Sequence, residues 1–195
     1  TLAHAMAAAL VESGASALLV DADPLGGGID LLAAAEDAQG VRWGDLSKAV
    51  GRISASTLSY ALPRAQGIVV LSHPRGQVVE VLEPSFAAVI DAGRRGHDGV
   101  VIDAPRLGPS GALAAADEVV LLVPATLRGV LAGRQALLVL DDAGRRPRIG
   151  IRLVPGGVST GEACRGLGVE HAIEIPDLAT IRDRVRDDDA RRARD

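Results

Sequence analysis

"LLVDADPLGGGIDLL", residues 18–32, joins an apolar run to two aspartates, a proline and three consecutive glycines. A continuous apolar run that stops at a carboxylate reads as a strand buried on both faces, leaving the core at Asp21. In an open parallel sheet, ligands bind beyond the C-terminal ends of the strands, so Asp21 and Asp23 stand where a ligand would be met. Carboxylates in that position hold a hydrated Mg²⁺ or orient a water in phosphoryl transfer. Pro24 and the glycines Gly26, Gly27 and Gly28 then supply a loop that changes shape at low cost, because glycine has few forbidden conformations. Acidic groups beside such a loop suit a site that senses a γ-phosphate. The competing reading is structural: aspartate after a strand is a common turn former and helix N-cap. The glycines do not form a G-x-G-x-x-G motif, and the acids ahead of them would repel a pyrophosphate.

Further apolar runs, each bounded by turn residues, flank this stretch. They are "ALLV" (17–20), "GIVVLS" (67–72), "GVVID" (99–103), "EVVLLVP" (118–124), "RIGIRLV" (148–154) and "HAIEI" (171–175). Helical patterns lie between some of them. "EPSFAAVIDAGRRG" has Pro84 and Ser85 at its start and glycine at its end, and "TLRGVLAGRQALLVLDDAG" carries Leu and Val at helical spacing. Strands alternating with helices predict an α/β fold with a mostly parallel sheet and helices on both faces. One run, "DGVVID", repeats the opening pattern and places Asp103 at a second strand end.

Composition narrows the functional classes. The 195 residues are 48% hydrophobic but only 2% aromatic, so the core is built from Ala, Val, Leu and Ile. Trp43, Tyr60 and Phe86 are single instances of their types, too few for stacking platforms along a nucleic acid. The net charge of −4 also argues against a nucleic-acid surface. Cys164 is alone, so no disulfide framework is possible within the chain, which fits a reducing, cytoplasmic setting. No run approaches the length of a membrane span. The Ala-rich stretch "TLAHAMAAALVES" reads as a helix ending at Gly14 with no N-cap ahead of it, so a segment is expected upstream.

With these strand ends in place, the chain resembles the MinD/ParA ATPases, which carry a deviant P-loop. "LLVDADPLGGGIDLL" looks like their switch I region, and "GVVIDAPR" like their Walker B strand and the start of switch II. The D-A-D-P-x-G-G-G-x-D-L-L string, the "DAPR" ending and "LVPGG" at 153–157 are most similar to the actinobacterial CpaE/TadZ-like, septum-site-determining branch. The resemblance implies a P-loop NTPase-like fold whose first strand and P-loop are missing from this chain. It implies one MinD/ParA-like α/β domain over residues 1–179, followed by a charged tail over 180–195.

Carried over residue by residue, Thr1 falls at or beside the hydroxyl residue that ligates Mg²⁺. Asp21 is the first switch I acid, near Mg²⁺ and the γ-phosphate, and Asp23 helps position the attacking water. Asp103 is the Walker B acid that holds Mg²⁺. "EIPD" at 174–177 resembles the adenine-facing loop, with Pro176 against the base and Asp177 beside it. Arg152 occupies the region where the family reads adenine with an asparagine, and an arginine can stack on the base but cannot accept from its amino group. A second departure is Leu107, where the family has a glycine; Gly108 comes one residue later.

The resemblance thus implies ATP and Mg²⁺ as cofactors and a weak ATPase activity. The function it implies is an ATP-dependent positioning switch for septum placement or for polar siting of a pilus or secretion apparatus. It further implies cell-division or pilus and secretion proteins as partners, and a cytoplasmic protein recruited to septum or pole. The alternatives are a non-hydrolysing scaffold of the same fold and, more distantly, a small-molecule enzyme on a doubly wound sheet. The resemblance also implies a nucleotide-dependent homodimer through the face of the glycine loop, and Leu25, Ile29, Leu31 and Leu32, in and after that loop, are apolar residues that a loop binding only a small ion would not need. Against this, Leu31 and Leu32 would begin the next helix and pack inward. The four histidines show no metal-ligand spacing. "RRPR" at 145–148 reads as a solvated turn, and the Arg/Asp tail lacks the apolar face a membrane helix needs.

Overall fold

The computed structural model describes residues 1–49, 51–106 and 110–176. The chain divides into two compact units, Thr1–Ala116 and Asp117–Asp195. The first contains α1 (Leu2–Glu12), β1 (Ala17–Asp21), α2 (Ile29–Leu32), α3 (Trp43–Leu46), α4 (Ala55–Ala61), β2 (Arg64–Ala65), β3 (Ile68–Leu71), α5 (Glu83–Gly96), β4 (Gly99–Asp103) and α6 (Ser110–Ala115). Its sheet has the order β2-β3-β1-β4. Strands β3, β1 and β4 run parallel, and only the two-residue β2 is antiparallel. The β2–β3 turn passes through Gln66 and Gly67, both at positive φ (51° and 78°).

The apolar runs are continuous because successive side chains serve two cores. Leu18, Val20, Val69 and Leu71 point to one face and pack with Trp43, Phe86 and Val89. Leu19, Ile68 and Val70 point to the other, against Ala3 and Ala7 of α1 and against Ile29. A period of two on both faces, each face covered by helices, requires apolar residues at every position. Small residues allow close approach: a Cβ at Gly93 of α5 would lie 2.6 Å from Leu18 Cδ2.

The second unit contains β5 (Val120–Pro124), α7 (Leu127–Asp142), β6 (Arg148–Arg152), α8 (Thr160–Leu167) and β7 (Ile173–Ile175). Its three strands are parallel in the order β5-β6-β7. Val123, Val130, Ile149, Ile151 and Leu167 form its core. Thr126 caps α7, accepting from Gly129 N, and Ser159 with Glu162 forms a capping box on α8.

All six apolar runs carry a strand, and the fold is the expected α/β arrangement of mostly parallel strands flanked by helices. The helix over 83–96 starts with proline in its first turn as expected and runs on to Gly96, the later of the two glycines, Gly93 and Gly96, that could end it, with Arg94 and Arg95 in its last turn. One expectation is corrected. Helix α1 does have an N-cap: the Thr1 side chain accepts from His4 N at 3.4 Å. Residues 107 and 108 and the tail at 180–195 lie outside the described residues.

Candidate functional site

Asp21 and Asp103 are register partners on neighbouring parallel strands, each the last residue of its strand. Side by side at one strand end, the two carboxylates share a single edge of the sheet. The strand-to-strand bond that continues the ladder is Ala22 N to Asp103 O, 2.9 Å.

Asp21 is 3% exposed, and its bonds explain how a carboxylate is tolerated there. Oδ1 accepts from Asp23 N at 3.0 Å and Oδ2 from Ile29 N at 3.2 Å. One side chain thus ties together both ends of the glycine loop. Burial pushes the Asp21 carboxyl above the usual carboxylate range; the two N–H bonds oppose that, and the Asp103 and Asp23 charges add to it. Asp103 is raised for the same first reason, burial, while a hydrogen bond with the Thr1 side chain pulls the other way. The strand end therefore holds two carboxylates that burial makes reluctant to ionise, with a hydroxyl on one of them.

Asp23 forms a turn of its own. Its Oδ1 accepts from Leu25 N at 3.1 Å, and its carbonyl accepts from Gly26 N at 3.1 Å. Gly28 takes φ 84°, a left-handed value that a side chain would strain. The turn-forming reading of these aspartates is thus realised, and it is compatible with their place at the C-terminal ends of the strands.

The loop's leucines behave differently from one another. Leu25 is 81% exposed, and Leu31 and Leu32 are 51% and 41% exposed. Ile29 is buried in the core against α1, which corrects the expectation that it stands free on the loop face. Asp30, also buried, pairs with Arg75 at 3.5 Å.

Two residues of this edge were not singled out by sequence reasoning. Trp43 is fully buried; its Nε1 donates to the Asp21 carbonyl at 2.6 Å and its ring stacks on Phe86 at 5.8 Å. His73, just past β3, lies near enough to Asp23 to feel its charge, and its ring stands 6.2 Å from that of Trp43. Burial nevertheless lowers the His73 pKa, and Nδ1 is buried without a hydrogen-bond partner. A lone tryptophan at the start of a short helix was the sole available signal, and it gives no direction toward Asp21.

The other candidates belong to the second unit. Arg152 ends β6 opposite Ile175 of β7, and Pro176 follows, exposed. Leu153 N donates to the Ile175 carbonyl at 2.9 Å, so Arg152 and Pro176 share the end of one strand pair. Asp177 lies outside the described residues. Among the described residues, no helix is long and apolar enough to cross a membrane.

No family model matches the chain. Two relatives, "Uncharacterized protein MT3760" and "Uncharacterized protein Rv3660c" of Mycobacterium tuberculosis (strains CDC 1551 / Oshkosh and ATCC 25618 / H37Rv), are each 43% identical over 187 residues. These matches cover 94% of this chain and 52% of each relative, so the chain spans about half the length of the curated relatives it matches. Among solved structures, a chain of a MinC:MinD cell division protein complex of Aquifex aeolicus superposes with TM-score 0.71 at 16% identity, over 90% of this chain and 74% of that one. MinD of Aquifex aeolicus gives 0.65 at 18% identity, covering 86% and 72%. A ParA family ATPase of Chlorobium tepidum TLS gives 0.69 at 17%, covering 84% and 72%. At these identities the likeness is one of fold: the chain is built on the P-loop NTPase fold of the MinD and ParA proteins, with Asp21 and Asp103 on one edge of its sheet.

Proposed function

We propose that the Asp21–Asp103 edge is the metal- and γ-phosphate-facing side of an ATP-dependent positioning switch of the MinD/ParA type, in the CpaE/TadZ-like branch. Its task would be septum placement or polar siting of a pilus or secretion apparatus, with proteins of those assemblies as partners. The observation that carries this reading is the pairing of Asp21 with Asp103 at one strand end, with the Thr1 hydroxyl on Asp103 and the glycine loop tied to Asp21.

The donor set fits Mg²⁺. Two carboxylates and a hydroxyl are the hard oxygen ligands that ion takes, and burial disfavours the charged form of both carboxylates, which a cation would offset. When bound, Mg²⁺ supplies charge neutralisation to phosphate oxygens. Asp103 and Thr1 would hold the ion there. Asp21 keeps the loop closed, because releasing either of its N–H bonds frees Asp23 or Ile29 to move. Asp23, partly exposed and already turned by Leu25 N, orients a water. Arg152, Pro176 and Asp177 would serve the adenine end, a role supported by the resemblance alone.

The exposed Leu25, Leu31 and Leu32 support self-association through this face. That association should need nucleotide, since ordering three glycines costs roughly 1–2 kcal/mol each and phosphate contacts must offset it. Calorimetric titration of the full-length protein with ATP and Mg²⁺ tests the reading. Binding weakened by Asp103→Ala, with hydrolysis but not binding slowed by Asp23→Ala, supports it. No binding by the unmutated protein leaves the scaffold alternative.

A further inference from the structure

A recess lies in the first unit, away from the carboxylate edge. It has a volume of about 870 Å³ and is framed by the start of α4, the end of α5 and strand β2. Gly96 in its wall precedes β4 by three residues, so the recess sits toward the strand starts, whereas Asp21 and Asp103 are at the strand ends.

Its chemistry is one-sided. Arg52, Arg64 and Arg95 line it together with Ser54, Ser59 and Tyr60, and no carboxylate is among its described lining residues. The chain as a whole carries −4, so a recess with three guanidiniums is not a reflection of composition. Arg95 builds the wall: it donates to Asp91 Oδ2 at 3.0 Å and to the Ile53 carbonyl at 2.8 Å, fixing the loop before α4 to α5. Ser59 meets His97 Nε2 at 3.3 Å on the floor. Arg52 and Arg64 are exposed, and Tyr60 is 94% exposed on the rim.

We propose that this recess docks an acidic segment of a partner protein, with Arg52 and Arg64 meeting its carboxylates and Tyr60 lying against its chain. Guanidinium binds carboxylate through two parallel N–H bonds, a geometry lysine cannot offer. Arginine and tyrosine are the residue types that carry protein interfaces, and tyrosine supplies rigid contact area at little entropic cost. Small-molecule sites are concave, enclosed and mostly apolar; this one is open, and polar groups take about as much of its lining as apolar ones. Nucleic acid would ask for a longer basic track and more than one aromatic. The inference does not depend on the nucleotide reading, since none of these residues belongs to the carboxylate edge.

Fluorescence anisotropy on the full-length protein at physiological salt decides it, with labelled decaglutamate as the probe and decaglutamine and a single-stranded DNA ten-mer as comparisons. Decaglutamate should bind and decaglutamine should not. Arg52→Glu and Arg64→Glu should each weaken the peptide by about tenfold or more, Tyr60→Ala should weaken it about threefold, and Arg128→Glu, an exposed change on α7, should stay within about twofold. All four positions are exposed, so circular dichroism should show folded variants. The proposal is overturned if decaglutamate does not bind, if Arg128→Glu costs as much as Arg64→Glu, or if the DNA binds more tightly through the same arginines.

Discussion

Two loops of this chain look alike in sequence and are held in opposite ways. The first follows β1 as "DADPLGGG", and the second follows β6 as "LVPGG". Both pair a proline with glycines at a strand end. Each has one backbone turn bond, Gly26 N to the Asp23 carbonyl in the first, but there the bonds that fasten the loop's two ends come from a side chain: Asp21 reaches Asp23 N and Ile29 N. In the second they come from the backbone. Gly157 N donates to the Val154 carbonyl and Val158 N to the Ala125 carbonyl, each at 2.9 Å, and Gly157 packs directly on that Ala125 carbonyl. A loop closed by a carboxylate can be opened by anything that competes for the carboxylate, whether a proton, a cation or a neighbouring charge. A loop closed by backbone packing has no such handle. Both loops stand at a strand end; the fastening gives only the first a carboxylate handle.

The largest effect should come from attacking the backbone-held loop. A Cβ at Gly157 would collide with the Ala125 carbonyl, and backbone cannot step aside as a flexible side chain can. Gly157→Ala should cost about 3 kcal/mol, the upper part of the range for overpacking, and chemical denaturation should show it. Near-native stability would mean that this loop is looser than the comparison requires.

Next in size is Asp103→Ala. If the edge serves Mg²⁺ and phosphate, ATP affinity in the presence of Mg²⁺ should fall about a hundredfold, or roughly 2.7 kcal/mol, with little change in the metal-free protein. An unchanged affinity would leave the first loop closed by Asp21 for structural reasons alone.

Asp21→Asn sharpens the contrast directly. An amide presents one acceptor where the carboxylate presented two, so one of the two loop N–H groups loses its partner at a cost of about 1–2 kcal/mol. Hydrogen exchange at Asp23 and Ile29 should speed up about tenfold, while Gly157 and Val158 stay as they were. Equal acceleration in both loops would break the distinction between them.

The smallest effect is in the pH dependence. A carboxyl whose pKa rises on folding binds more protons in the native than in the unfolded chain between the two pKa values. Stability therefore falls as pH rises through that window, and Asp21 and Asp103 both act in this sense. His73 and His97 act oppositely: burial lowers both, so their contribution is present above the ordinary histidine range and is lost as pH falls through it. Asp103→Asn should thus melt slightly above the parent at neutral pH without nucleotide, and the gap should close as pH drops below the carboxylate range. A gap that does not change with pH would contradict the burial argument.

The alternation of two cores was legible because it leaves a mark on every residue. Runs such as "LLV" and "IVVL" are apolar throughout only if both faces are covered, and all six predicted runs carry strands. The aspartates at 21 and 103 were legible as strand ends, and their register followed once the strands were neighbours. Strand β2 escaped notice because two residues show no period. Helices α2 and α3 are four residues each, too short to show a helical period; α3 is fixed by a local bond from Arg42 N to Asp45 and a tertiary one from Trp43 Nε1 to the Asp21 carbonyl. Ile29 was misplaced because the loop's glycines end one residue before it: apolar character was visible, but not the turn that swings it into the α1 core. The arginine recess draws on positions 52, 64 and 95, and no local pattern joins residues that far apart.

The central claim is that Asp21 and Asp103 form the metal-and-phosphate edge. Paramagnetic broadening tests it most directly, by adding Mn²⁺ with ATP to isotope-labelled full-length protein and recording amide spectra. At substoichiometric Mn²⁺ the account predicts the strongest broadening at Asp21, Asp23, Ile29 and Asp103, and much weaker broadening at Ala17 and Gly99, about 13 Å away at the far ends of the same two strands. Broadening that is absent from the Asp21 loop, or equal at both ends of β1 and β4, would contradict it.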